Sequence, residues 1–275
     1  MNYTNGYTFL KWAGSKSKLL PQLIDLLPKK IDNYFEPFLG SGAMLFYMLH
    51  NRNIKKAYAS DINPELINTF LIVKNKPLKL IESLKEHQKN HSKEYYYKVR
   101  NNIPNNNLDK ASRFIYLNKT CFNGLYRVNS KGLFNVPIGS YKNPAILQKE
   151  RILKASKLLK IVEFKVSDYK ETLKKVKKND FVYLDPPYHP LEDKNSFTKY
   201  SKNDFSEKDQ ESLKKYCDQL DKKGINFLQS NSYTSFIKKL YEDYKKRVVL
   251  ANRMINCKAS GRGKIREFAI YNYEV

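Results

Sequence analysis

Phe181-Val182-Tyr183-Leu184-Asp185-Pro186-Pro187-Tyr188 is an apolar, β-rich run that stops on an acid and two prolines. Proline has no N–H for a ladder and its ring fixes φ, so the strand ends there on backbone that cannot pass straight into a helix. The run therefore sets a carboxylate at the carboxyl edge of a sheet, which is where open α/β sheets bind ligands. The Asp185 side chain and the Pro186 carbonyl can each accept one N–H of a planar amino group, and Tyr188 can stack on the ring that carries it. Asp-Pro and Pro-Pro also make ordinary turns, but all four residues behind a buried-type strand favour the amine-binding reading.

Outward from this run the chain alternates strand and helix. Asn33 to Phe38 reads as a first strand, followed by the turn Leu39-Gly40-Ser41-Gly42 and a helix from Ala43 to about Leu49. Lys56 to Ala59 is a second strand ending at Asp61; Asn63 then caps a helix from Glu65 to Val73 with Pro64 at its first position. From Asn75 to Glu150 the pattern changes to helical stretches that lead into a Gly/Asn-dense segment running from Phe122 to Ser140. Alternation resumes with strands at Leu159 to Val166, Phe181 to Asp185 and Ile225 to Ser230, a polar-faced helix at Glu207 to Leu220, and a closing pair, Arg247 to Leu250 with Phe268 to Tyr273. This organisation predicts an α/β sheet domain, residues 1–74 and 151–275, interrupted by a mostly helical insertion at 75–150.

The glycines of Phe38-Leu39-Gly40-Ser41-Gly42 follow a strand and open a helix, so a ligand can approach the backbone there. Asp61 ends the next strand about 20 residues on, where an acid in nucleotide-binding folds accepts ribose hydroxyls. The third glycine of a dinucleotide fingerprint is replaced by Leu45, Glu36 precedes the glycines, and no phosphate loop ending in Lys-Ser/Thr is present. A carboxylate beside the pocket disfavours pyrophosphate and suits a cationic or zwitterionic ligand, so S-adenosylmethionine fits better than NAD or ATP.

Composition narrows the class. The 275 residues carry 51 basic and 27 acidic side chains, a formal net charge of +24, which points to a polyanionic partner, although a solvated lysine-rich surface accounts for part of the excess. Cys121, Cys217 and Cys257 are too few and too scattered for a disulfide framework or a zinc site, and four dispersed histidines suggest no metal. No run is long enough to span a membrane, and Met1-Asn2-Tyr3-Thr4-Asn5-Gly6 is not a secretory signal, so a cytoplasmic protein is expected.

Six blocks in order resemble the Dam-type DNA adenine-N6 methyltransferases: Lys11-Trp12-Ala13-Gly14-Ser15-Lys16, Phe35 to Ala43, Asp61-Ile62-Asn63, Leu117 to Gly139, Ser167-Asp168-Tyr169 and Asp185-Pro186-Pro187-Tyr188. The resemblance implies a Rossmann-like S-adenosylmethionine-dependent methyltransferase sheet with 75–150 as the target-recognition insertion. It implies Asp185, Pro186 and Tyr188 as catalytic residues, and cofactor contacts from Trp12, Lys16, Gly40, Gly42, Asp61, Asp168 and Asp185, with Phe35 or Phe38 near the adenine ring. Ser15 departs from the second glycine that many members carry, which is harmless if φ there is negative.

The same resemblance implies double-stranded DNA as substrate and GATC as the site, methylated at adenine on a base flipped out of the duplex. Arg127 resembles the guanine reader, Leu125 and Pro137 the contacts to thymine, Phe122 an inserted wedge, and Lys11 a contact to guanine at the other end, while Asn123 belongs to the same amide- and aromatic-rich loop. Arg262 and Lys264, in the basic segment Lys258 to Lys264, are expected in a loop tracking phosphates. One recognition segment suggests a monomer, and a companion restriction endonuclease would not form a stable complex with it. The acid-prolines motif also suits cytosine N4, RNA adenine or a glutamine side chain, and an idle DNA-binding module or a dinucleotide oxidoreductase are further alternatives. Asp at 185 with the recognition segment favours DNA adenine; an intact Asp185, Tyr188 and Gly40/Gly42 turn disfavours the idle module.

Overall fold

The computed structural model describes residues 7–191, 205–252 and 264–275. Among the described residues seven strands, β1 (Asn33–Glu36), β2 (Lys56–Asp61), β3 (Val162–Val166), β4 (Phe181–Leu184), β5 (Asn226–Ser232), β6 (Lys245–Asn252) and β7 (Lys264–Tyr271), form one sheet in the order β3-β2-β1-β4-β5-β7-β6. β4 runs parallel to both β1 and β5, whereas β7 is antiparallel to β5 and β6. This is an α/β, Rossmann-like arrangement in which the strand order reverses between β1 and β4, the place where such sheets bind ligands. The antiparallel β7 between β5 and β6 separates it from the six-stranded dinucleotide order.

Local chemistry sets the element ends. β1 stops at Glu36 rather than Phe38 because Pro37 has no N–H to pair. β4 stops at Leu184, in front of Asp185-Pro186, with all four of its residues buried. The helix Pro64–Asn75 starts where Asn63 Oδ1 accepts the N–H groups of Glu65 and Leu66, at 3.0 and 3.1 Å, a cap of about 1 kcal/mol. β3 begins at Val162, not Leu159, since residues 159–161 tighten the end of the helix Lys149–Leu158 into a 3₁₀ turn. The closing pair is longer than the hydropathy pattern suggests: β6 and β7 stay in register to Asn252 opposite Lys264. Lys264 is thus an exposed strand residue and not part of a loop, a correction that the charged start of the strand, Lys264-Ile265-Arg266-Glu267, hid. Arg262 lies outside the described residues.

The chain divides into two compact units. One comprises the described residues up to Lys16, then Leu39–Arg52 and Ala59–Ser167. In it the helices Pro64–Asn75, Pro77–Lys89, Asn107–Thr120 and Lys149–Leu158 pack on one another, burying Leu66, Phe70, Leu80, Leu84, Ile115 and Ile152. The other comprises Ser17–Phe38, Asn53–Tyr58 and the described residues from Asp168 onward. Its core gathers Phe35, Val182, Leu184, Leu213, Leu220, Phe227, Ile237 and Ile270. Cys121 and Cys217 are buried free thiols, and Cys257 lies outside the described residues. Among the described residues no helix is long and apolar enough to cross a membrane.

Candidate active site

In the first unit the glycine turn, Asp61 and Trp12 come together. Gly40 and Gly42 both take positive φ, 49° and 66°, and Gly42 N–H closes the turn on Leu39 O at 2.8 Å. Asp61 accepts the Gly40 N–H at 3.1 Å on one oxygen and the Asn63 N–H at 3.0 Å on the other. Burial raises the Asp61 pKa and these main-chain donors oppose it. The indole of Trp12 lies against Gly40, where a Cβ would come to 3.0 Å from Cδ1. Behind it stack Tyr126 and Phe114, with ring centroids 5.9 and 6.4 Å away. A carboxylate acceptor, side-chain-free backbone and an aromatic face standing together are what the ribose and base of an adenosine-type cofactor require.

Lys16 is buried and donates from Nζ to Gly14 O at 2.7 Å. Gly14 carries the positive φ of that turn, 76°, whereas among the described non-glycine residues only Asn123 and Asn179 have one. Ser15 is therefore on ordinary backbone, with its Oγ 2.8 Å from Ser41 Oγ, so the departure from glycine there costs no strain.

In the second unit Asp185 and Pro186 leave the carboxyl end of β4. Asp185 and Tyr188 are half-buried and Pro186 is buried. Tyr188 donates its hydroxyl to Glu267 Oε2 at 2.7 Å. Burial first, then the Asp185 and Glu267 carboxylates, push its phenol well above the ordinary range, so the ring stays neutral. The Pro187 carbonyl accepts from Gln210 Nε2 at 2.9 Å, and Gln210 Oε1 accepts from Asn231 Nδ2 at 3.0 Å. Glu36, at the end of β1, is buried and accepts the Tyr34 hydroxyl at 2.6 Å.

Two expected cofactor aromatics part company here. Phe35 is 1% exposed and stacks on Tyr58 at 4.6 Å, which makes it a core residue. Phe38 is only half-buried and stacks on Tyr169 at 5.3 Å. Asp168 is exposed and caps the short helix Tyr169–Leu173, accepting from Lys170 N–H at 2.9 Å.

The amide-rich segment of the first unit is a hairpin-like loop. Its root is pinned by Phe122 N–H to Pro137 O at 2.9 Å and Gly139 N–H to Thr120 O at 2.8 Å. Phe122, Asn123, Arg127 and Pro137 are exposed, and Asn123 takes φ 54°. Leu125 is half-buried. Arg127 donates from Nε to Asn135 Oδ1 at 2.7 Å, across the loop. Lys11 sits beside the loop, its N–H on Asn118 Oδ1 at 2.8 Å and its Nζ 3.8 Å over the Tyr141 ring. Asn118 returns Nδ2 to Lys11 O and Gly124 O.

Gln210, Asn231, Glu267, Asn135 and the framing role of Asn118 were not legible in the sequence, because polar residues in a helix, a strand or a loop carry no mark of a distant partner. Comparison with known proteins points one way. The family model for D12 class N6 adenine-specific DNA methyltransferases matches residues 12–255. The type II methyltransferase M.MjaIII of Methanocaldococcus jannaschii is 45% identical over 96% of this chain and 98% of its own. The type II methyltransferase M1.LlaDCHI of Lactococcus lactis subsp. cremoris is 41% identical over 99% and 97%, and a DNA adenine methylase of Vibrio cholerae is 36% identical over 94% and 93%.

Proposed function

Because the chain belongs to the D12 class N6 adenine-specific DNA methyltransferases, we propose that it transfers a methyl group from S-adenosylmethionine to adenine N6 within GATC. The observation that carries the mechanism is the Asp185-Pro186-Pro187-Tyr188 turn at the carboxyl end of β4, beside the reversal of strand order. Trp12, Gly40 and Asp61 would hold the cofactor, with Asp61 on the ribose hydroxyls and Lys16, Gly42 and Asp168 in supporting contacts. Between the two candidate aromatics, the half-buried Phe38 suits the adenine better than the core residue Phe35. When bound, S-adenosylmethionine supplies a methyl group already activated by its sulfonium charge.

The chain's own residues supply alignment. Tyr188, neutral and tied to Glu267, stacks on the extruded adenine. Asp185 and the Pro186 carbonyl accept hydrogen bonds from the two N6–H groups and draw the nitrogen toward tetrahedral geometry, so that its lone pair forms the new N–C bond as the S–C bond breaks and one N6 proton is lost to solvent along its hydrogen bond. An aniline-like amine is a poor nucleophile, so most of the rate comes from this placement.

Residues 75–150 read the DNA and residues 1–74 with 151–275 carry the chemistry in this proposal. Arg127 addresses a guanine, Leu125 and Pro137 the thymine, Phe122 and Asn123 the base step, and Lys11 the outer guanine. Lys264, with Arg262, adds positive charge toward phosphates. The enzyme acts as a cytoplasmic monomer, with a companion endonuclease that forms no stable complex; the type II names of two relatives support that pairing.

The test is methyl transfer from labelled S-adenosylmethionine to a duplex with one GATC and to its counterpart carrying N6-methyladenine on both strands. Label in the first alone is expected. Transfer to both, or to a scrambled duplex equally, would refute the site assignment. Asp185→Ala should abolish transfer while DNA binding persists, and near-normal turnover in that variant would sink the mechanism.

A further inference from the structure

Beneath the Asp185–Tyr188 turn runs a chain of amides whose direction the backbone dictates. Asn231, on β5, and Gln210, on the helix Glu207–Lys222, are both 0% exposed. Asn231 Oδ1 accepts the N–H of Ser232 at 2.9 Å and of His189 at 3.4 Å. A main-chain N–H can only donate, so that end of Asn231 must be oxygen and its other end must donate. The acceptor is Gln210 Oε1, at 3.0 Å, which leaves Gln210 Nε2 to donate to Pro187 O at 2.9 Å. Reversing either amide would set oxygen against oxygen or NH₂ against N–H on side chains that have no exposed surface, so the relay has one polarity.

The relay acts where the turn has freedom left. Both prolines have φ fixed by their rings, so the direction of the Pro187 carbonyl is set by ψ, the dihedral that aims the chain into Tyr188. Gln210 holds that carbonyl, and Asn231 holds the N–H of His189 on the far side. The main chain of Tyr188 is thus bracketed by the two ends of one relay while its hydroxyl rests on Glu267. The helix end that carries Gln210 is itself fixed by a capping box between Ser206 and Asp209.

We propose that Gln210 and Asn231 are positioning residues for methyl transfer: through the Pro187 carbonyl and the His189 N–H they set the plane in which Tyr188 meets the target base, without touching it. This rests on the reading of Asp185–Tyr188 as the amine-binding turn. The expected cost of releasing the turn is about 10- to 100-fold in the chemical step, the scale of misplacing a reacting group by about an ångström.

The test uses the full chain and two variants, Gln210→Met and Gln210→Glu. In Gln210→Met, single-turnover methyl transfer should fall about 10- to 100-fold, with affinities for S-adenosylmethionine and duplex DNA within about twofold of wild type. Amide hydrogen exchange of the cofactor-free protein should rise in the peptide covering 184–191. In Gln210→Glu the ionised carboxylate cannot donate to Pro187 O, whereas the protonated acid can. Its rate relative to wild type should therefore be low at about pH 8.5 and recover toward about pH 6. Titration of the neighbouring Asp185, His189, Glu207 and Glu267 is shared by both proteins and enters the ratio only where the substitution moves it.

A wild-type rate and wild-type exchange in Gln210→Met would overturn the proposal. So would equal, pH-independent losses in both variants, since only general loosening would explain them. If the unsubstituted protein methylates neither duplex while exchange at this turn still rises in Gln210→Met, the methyl-transfer reading fails and the relay stands.

Discussion

Gly40→Ala probes the proposed cofactor contacts of the first unit through a single reporter, because Trp12 is the only tryptophan in the chain. At φ 49° an alanine occupies the left-handed region at a cost of about 1–2 kcal/mol. Its Cβ would also stand 3.0 Å from Trp12 Cδ1 and 3.1 Å from Nε1, so the indole must give by a few tenths of an ångström. Trp12 is backed by Tyr126 and Phe114 and cannot retreat freely, and such overpacking costs about 1–3 kcal/mol. Alanine's smaller unfolded-state entropy returns about 0.4–1 kcal/mol. The net expectation is a loss of roughly 1–4.6 kcal/mol. Urea unfolding followed by Trp12 fluorescence measures it, and titration of the folded variant with S-adenosylmethionine should show weaker binding, since the Gly40 N–H also orients Asp61. Unchanged stability within about 0.5 kcal/mol, together with wild-type emission and cofactor affinity, would refute the contact between Trp12 and the glycine turn.

Three further outcomes are expected. Arg127→Ala should lose about 1–3 kcal/mol of discrimination at its guanine, and Asn135→Ala should lose less, by freeing the Arg127 guanidinium rather than removing it; binding to single-substituted duplexes distinguishes them, and equal loss on scrambled DNA would make Arg127 a phosphate contact. Burial, then Arg151 and Lys11, lower the Lys119 pKa to about 7, so from there to the ordinary lysine range the unfolded chain binds more protons and stability rises with pH. Lys119→Met should therefore raise neutral-pH stability by about 1 kcal/mol or more in denaturant titration, and lower stability would refute the assignment. Burial lowers the His87 pKa to about 4, so acidification from the ordinary histidine range to that value should destabilise the protein as the unfolded chain takes up a proton the fold refuses; His87→Phe should flatten that part of the pH–stability curve.

What could be read in advance was chemistry with a local signature. Asn63-Pro64 announces a helix start, the prolines after Leu184 announce a strand end, and the glycines at 40 and 42 announce left-handed turns. Each needs only neighbouring residues. The supports of those same features depend on partners far away in sequence: Lys11 meets Asn118 across 107 positions, and Tyr188 meets Glu267 across 79. Asn118, at the start of the amide-rich segment, is saturated by Lys11 and Gly124 main chain, which nothing beside it in the sequence announces. Phe35 and Phe38 looked interchangeable because two aromatics flanking Glu36-Pro37 do not reveal which faces the core. The end of β6 and the start of β7 were missed because Ala251-Asn252 and Lys264-Ile265-Arg266-Glu267 carry little hydrophobic alternation.

The clamp of Asn118 on the main chain of Lys11 bears on how such enzymes could be re-engineered. One carboxamide serves both the segment before Trp12 and the beginning of the loop proposed to read DNA, and a Cβ on Gly124 would fall 2.6 Å from Lys11 Cβ. The loop is therefore not an interchangeable cassette. A graft of 118–139 from a relative would arrive with its own demands on a strand of chain a hundred residues upstream, so specificity transplants should carry the Lys11–Lys16 segment together with the loop or forfeit its footing.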